Sequence, residues 1–297
     1  MKRIITFLAV LLLFFAGVSN VSAAALAERS GSPVWRVTSE GRTMFLAGSV
    51  HILREADFPL PQQFDLAFDQ SDVIVFETDT SQMADPEIVE YVMTQVLLPG
   101  NKTLRSVLDE ETFLALMAVC QEYGLSVFDV VRMRPSVITN ILSVMQIQKM
   151  GFVEQGVDEF YMERTRQDRY KQIAFLESVE EQINILISMG EGYENEYVQY
   201  FLREMENTEA QLDILVSEWR RGADTNIRES LAEMKEEWPH IYQSLILDRH
   251  EAWLPQLDDF LASDQIHFVI VGNAHLFGPD GLIQMLRDIG CEVTPLR

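Results

Sequence analysis

Met44-Phe-Leu-Ala-Gly-Ser-Val-His51, near the start of the chain, is an apolar run of strand character that ends in Gly-x-x-His. The same design returns near the C-terminus as His267-Phe-Val-Ile-Val-Gly-Asn-Ala-His275. Each His is expected where a strand ends. Two imidazoles delivered alike from opposite ends of a chain point to one shared site, of a kind that binds metal or performs acid and base chemistry. For that to happen, the first and last thirds of the chain must meet in one sheet.

Outward from these segments the pattern supports such a sheet. Val34-Trp-Arg-Val-Thr38 and Thr43-Met-Phe-Leu-Ala47 flank a Gly-containing turn and predict a β-hairpin. Asp72-Val-Ile-Val-Phe76 is short, apolar and β-branched, the signature of a buried strand, and it ends at Glu77. Lys171-Gln-Ile-Ala-Phe-Leu176 is a third such run, ending at Glu177, and a last strand is expected around Cys291 to Pro295. Helical apolar spacing covers Gln62 to Gln70, most of Asp85 to about residue 168, and Pro279 to Ile289, with breaks at Pro99-Gly100 and Arg134-Pro135. Ser178 with Glu181 makes a capping box for a helix to Met189. Residues 193 to 262 read as two or three long acidic helices whose Met and Trp side chains pack a core. The predicted fold class is α/β: a mixed central sheet built from N- and C-terminal strands, with a large helical region, about 85–168 and 178–262, inserted between them and covering the sheet. One domain over residues 24–297 is expected.

Residues 1 to 23 carry Lys2 and Arg3, then an apolar stretch from Ile4 to Val18, then the small-residue pattern of Asn20-Val-Ser-Ala23-Ala-Ala. This predicts a cleaved secretory signal, since the apolar core falls short of the roughly 20 residues that a membrane span needs. No Cys stands at the cleavage site, so a lipoprotein is not expected. These features predict a periplasmic or secreted protein without stable membrane insertion. The net charge of -23 repels nucleic acid and anionic lipid, which excludes nucleic acid as a partner. An oxidising compartment permits the two cysteines, Cys120 and Cys291, to pair.

Four apolar runs thus end in His51, Glu77, Glu177 and His275. In an open α/β sheet, ligands collect at the carboxyl edge of parallel strands, where such residues converge. Two His and two carboxylates suit a divalent ion such as Zn, Mn, Co or Fe. Gly48 and Gly272 fit places where a Cβ would block the chain as it leaves the sheet. The plainer reading of a single Gly-x-x-His is a turn glycine beside a satisfied His, and a lone strand-end Glu is usually a cap or a surface ion pair. Duplication of the motif weighs against the plainer reading. The chain contains no His-Glu-x-x-His and no Gly-x-Ser-x-Gly, which sets aside the commonest zinc-protease helix and the serine-hydrolase elbow. His267, inside a strand, and His240, after Pro239, read as structural.

The ordered set Phe45-Leu-Ala-Gly-Ser-Val-His-Ile-Leu53, Pro59-Leu-Pro61, Val75-Phe-Glu-Thr-Asp79, Gly156-Val-Asp158, Leu176-Glu177 with Gln182, Asp248-Arg249 and Val269-Ile-Val-Gly-Asn-Ala-His-Leu276 resembles the TraB/GumN family. That family includes the PrgY pheromone-shutdown proteins and the animal Tiki proteases. The resemblance runs from Trp35 to the C-terminus and implies an erythromycin esterase/ChaN-like fold. It implies a metal-dependent hydrolase of peptide or ester bonds, acting on a peptide or small-molecule substrate. His51, Glu77 and His275 would be metal ligands, Glu177 a general base, Arg249 a holder of a substrate carboxylate or oxyanion, and Asp158 an orienting group for a ligating His. Exchange of roles between Glu77 and Glu177 stays open. The alternative is a non-catalytic protein that sequesters a peptide signal or haem; a helical interaction protein working through the acidic 193–262 surface is a third. Two positions depart from the family pattern: His250, where Arg-Asn is common, and Ser136, in place of a Lys-Pro-Trp-like segment. The first would add a ligand or alter proton transfer; the second would change packing.

Overall fold

The computed structural model describes residues 32–152 and 155–297. The expected signal at residues 1–23 lies outside the described residues. The chain divides into two compact units. One contains the described residues through Thr78, those from 155 to Leu176, and Ala210–Arg297; the other contains Asp79–Phe152 and Glu177–Glu209.

The first unit holds a mixed sheet. Its strands are β1 (Val34–Ser39), β2 (Arg42–Ser49), β3 (Val73–Phe76), β4 (Gln172–Phe175), β5 (His267–Gly272) and β6 (Glu292–Pro295), ordered β4-β3-β5-β2-β1-β6. The predicted mixed α/β sheet, with N- and C-terminal strands side by side, is therefore present. β1 and β2 pair antiparallel around Glu40-Gly41, whose φ angles of 49° and 81° are the two positive values that a two-residue hairpin turn matched to strand twist requires. β2 pairs parallel with β5, β5 with β3, and β3 with β4. These four strands accordingly end at one edge. β3 and β5 are buried along their whole length, as continuous apolar runs in a parallel sheet must be.

Helices flanking the strands bury aromatic faces. Phe64, on the helix Gln62–Gln70, stacks on Tyr161 of the helix Val157–Gln167 and packs against Trp219 and Phe268 of β5. The helix Asp248–Ala262 buries Arg249, His250, Trp253, Leu257 and Leu261, a spacing that follows one helical face. A π-helical turn, Gln243–Leu247, precedes it directly. The helix expected from Pro279 begins at Leu282, with Gly281 as its cap. Among the described residues no helix is long and apolar enough to cross a membrane.

The second unit is helical. Its longer helices are Pro86–Gln95, Glu110–Glu122, Pro135–Lys149, Val179–Ser188 and Glu194–Glu204. The predicted box at Ser178 is formed, with the backbone N–H of Ser178 donating to Glu181 and that of Glu181 to Ser178 Oγ. Ser136 is buried and donates to the carbonyl of Ile187 at 2.6 Å, so its hydroxyl serves packing within this unit. Cys120 and Cys291 are both buried free thiols, one in each unit, and the bridge that an oxidising compartment would permit is not formed.

Candidate functional site

β2 leaves the sheet through Gly48 and Ser49, and His51 comes two residues later. A Cβ on Gly48 would fall 2.1 Å from Asn273 Oδ1, so the side chain of the second Gly-x-x-His turn lies against the first where glycine leaves it room. Ser49 and His51 converge on one oxygen. Ser49 Oγ donates to Asp158 Oδ2 at 2.6 Å, and His51 Nδ1 lies 2.7 Å from the same atom. Asp158 stands in the first turn of the helix Val157–Gln167, whose start is tied down by the N–H of Val157 donating to the carbonyl of Val50 at 3.0 Å. Gly156 permits that approach, because a Cβ there would sit 2.3 Å from the backbone C and O of His51. Trp219 Nε1 donates to the carbonyl of Gly48 at 2.7 Å and closes the other side of the turn.

Glu77 comes directly after β3, the neighbour of β5. Its Oε1 accepts the N–H of Gly272 at 2.6 Å, and its Oε2 accepts from Arg249 Nη2 at 2.5 Å. Arg249 Nη1 lies 2.8 Å from His275 Nε2, His275 Nδ1 lies 2.9 Å from His250 Nε2, and His250 Nδ1 lies 2.8 Å from the carbonyl of Asp280. The guanidinium carbon stands 4.4 Å from the Trp253 ring centroid, and that ring packs on His275 at 4.8 Å. Arg249, His250 and Trp253 share the buried face of one helix, so three neighbours in space come from one short stretch of chain.

These contacts set the charges. Burial opposes ionisation of Glu77, but the Arg249 guanidinium, then His275 and His51, and the Gly272 N–H outweigh it and hold the carboxyl well below the usual carboxylate range. Burial and the charge of Arg249 push His275 well below the ordinary imidazole value, and burial pushes His250 down to about 4. His51 goes the other way. Burial works against its charge, yet Asp158, by charge and by hydrogen bond, and then Glu77 raise it to about 9. At neutral pH the cluster therefore holds one imidazolium, two neutral imidazoles, and an ionised Glu77 paired with Arg249.

The donor set can be tested for a divalent cation on its own chemistry. His51 and His275 each place Nδ1 within hydrogen-bond reach of a protein group, Asp158 and His250, as ligating imidazoles do. Glu77 adds a carboxylate. Arg249, however, bridges Glu77 and His275, and among the described residues no group of three or more His, Cys, Asp or Glu is arranged so that it could hold a metal ion. As the side chains stand, the space between Glu77 and His275 is taken by the Arg249 guanidinium.

Of the sequence-predicted residues, His51, Asp158, Glu77, Arg249 and His275 are brought together in the sheet unit. Glu177 belongs to the helical unit, where its Oε1 accepts from Gln182 Nε2 at 3.3 Å. Ser49 and Trp253 lie beyond what the sequence reading predicts, and His250, singled out there, contacts His275. Ser49 is legible as the residue two before His51 on an extended segment, and Trp253 as the residue four after Arg249 on a helix. His240 follows Pro239 at the start of a short helix, and His267 stacks on Phe260 with centroids 4.5 Å apart, so the latter packs as expected. A surface cavity of about 480 Å³, lined by Arg228, Leu231, Lys235, Tyr242, Gly278 and Pro279, contains no side chain of the cluster.

The model of the TraB/PrgY/gumN family matches residues 33–295. No curated protein and no solved structure matches the chain.

Proposed function

The chain belongs to the TraB/PrgY/gumN family, and on that footing we propose that it is a metal-dependent hydrolase of peptide or ester bonds, working in the periplasm or after secretion. One observation carries the reading. Both Gly-x-x-His imidazoles place Nδ1 against a protein group, Asp158 and His250, and His275 Nε2 lies 3.7 Å from Glu77 Oε1, with Arg249 bridging the two.

His51, His275 and Glu77 would hold a divalent ion, Zn, Mn, Co or Fe. When bound, such an ion lowers the pKa of a water and polarises a scissile carbonyl. Asp158 holds the His51 ring in place, and ligation requires His51 to release the proton that Asp158 and Glu77 favour. The Arg249 guanidinium would supply a planar fork suited to a substrate carboxylate or a developing oxyanion.

The test combines metal analysis of the purified protein with hydrolysis of peptide and ester libraries. Stoichiometric metal and turnover, both lost in His51→Ala and His275→Ala, are expected. Retention of a peptide or haem without turnover would replace the hydrolase with a sequestering protein. Absence of metal binding across the candidate ions would remove the metal reading altogether.

A further inference from the structure

We propose that His250 is a positioning residue that locks His275 in the tautomer protonated at Nδ1, leaving Nε2 as a lone pair aimed at Arg249 and Glu77. Geometry closes the assignment from both ends. A guanidinium only donates, so the 2.8 Å contact from Arg249 Nη1 makes His275 Nε2 an acceptor. A backbone carbonyl only accepts, so the 2.8 Å contact to Asp280 puts a proton on His250 Nδ1. Between them lies the 2.9 Å contact of His250 Nε2 with His275 Nδ1, which needs one proton. With His275 Nε2 bare, that proton sits on His275 Nδ1, and His250 Nε2 accepts it. The chain of donors runs one way, from Arg249 through His275 and His250 to the carbonyl of Asp280.

The far end is itself anchored. Asp280 accepts from Lys235 Nζ at 2.5 Å and from the Tyr242 hydroxyl at 2.9 Å through its side chain, so the carbonyl that receives His250 belongs to a residue held on two sides. His250 is 1 % exposed and His275 wholly buried, so no bulk water competes for these ring atoms. The inference deepens the proposed function and rests on it only in giving the Nε2 lone pair of His275 a purpose.

The experiment uses the metal-free full-length protein with 15N-labelled histidine and long-range 1H–15N spectra. The wild type is expected to show pyrrole-type Nδ1 and pyridine-type Nε2 for both His275 and His250. His250→Leu leaves the His275 Nδ1–H buried without its acceptor, and the His275 ring signals are expected to shift as the imidazole leaves its place against Arg249. His250→Asn, which carries both an acceptor and a donor, is expected to restore the wild-type pattern. Titration with Zn²⁺ or Mn²⁺ alone should weaken about 10- to 100-fold in His250→Leu and recover in His250→Asn. A wild type with His275 protonated at Nε2, or unchanged His275 signals in His250→Leu, would overturn the proposal. Should His250→Leu not fold, the wild-type and His250→Asn spectra decide the matter. A wild type with the expected tautomers but no metal affinity supports the positioning role while removing the metal-dependent hydrolase.

Discussion

Replacing Arg249 with Met removes the cation at the centre of the cluster while keeping an unbranched apolar stem against Trp253. In the native protein Glu77 Oε2 receives Arg249 Nη2 at 2.5 Å, and both side chains are 6 % exposed. Without the guanidinium, Glu77 retains the Gly272 N–H at 2.6 Å but loses the cation that does most to keep it ionised. Breaking a buried pair from one side costs about 3–5 kcal/mol, because a charge is stranded rather than an attraction merely lost. Glu77→Leu strands Arg249 and should cost a similar amount. The double variant strands neither and should recover at least about 2 kcal/mol of the summed loss. All four tryptophans, Trp35, Trp219, Trp238 and Trp253, lie in the sheet unit, so urea unfolding monitored by tryptophan fluorescence in the presence of a chelator reads the unit that holds the site. Single-variant losses that add to within about 0.5 kcal/mol would refute the buried pair as an energetic unit. So would a loss under about 1 kcal/mol in Arg249→Met, the level of an exposed ion pair.

The same geometry sets two further outcomes. The folded-state value of His51, about 9, stands above its ordinary 6.5, so its contribution to stability is complete below pH 6.5 and is lost as pH rises through about 9. At about 1.4 kcal/mol per pH unit this is about 3 kcal/mol, and a urea midpoint measured against pH should lose this alkaline fall in His51→Gln; an identical profile in the variant would contradict the assignment. Gly156→Ala places a Cβ 2.3 Å from the His51 backbone, which cannot swing aside as a side-chain tip would. A loss of about 1–3 kcal/mol is expected, together with displacement of the His51 ring resonances; a neutral variant would show that this approach is not tight.

The parts of the fold that can be read in advance are local. Gly41 between two alternating runs specifies the hairpin, and the β-branched run Val73–Phe76 can satisfy its apolar side chains only inside a sheet. The Gly-x-x-His endings are legible for the same reason, since strand, exit and His are contiguous. Pairings across the chain are not. Asp158 meets His51 across 107 positions, and Arg249 meets Glu77 across 172. Nothing in either neighbourhood names its partner, and only the family resemblance singles out Asp158 and Arg249. Glu77 and Glu177 show the limit of a local rule. Both stand at the end of strand-like runs, yet they fall in different compact units: the chain leaving β3 stays with the sheet unit through Thr78, whereas Glu177 stands directly before Ser178, the cap of the helix Val179–Ser188.

The π-helical turn Gln243–Leu247 adds one residue to a helical path just before Asp248. An α-helix advances about 100° per residue, so removing that residue would turn Arg249, His250 and Trp253 together by more than a quarter of a revolution without altering any of them. The site thus depends on chain length at a place that carries none of its chemistry. In a comparison of homologues, a one-residue gap at this turn would be as informative as a substitution of Arg249 itself.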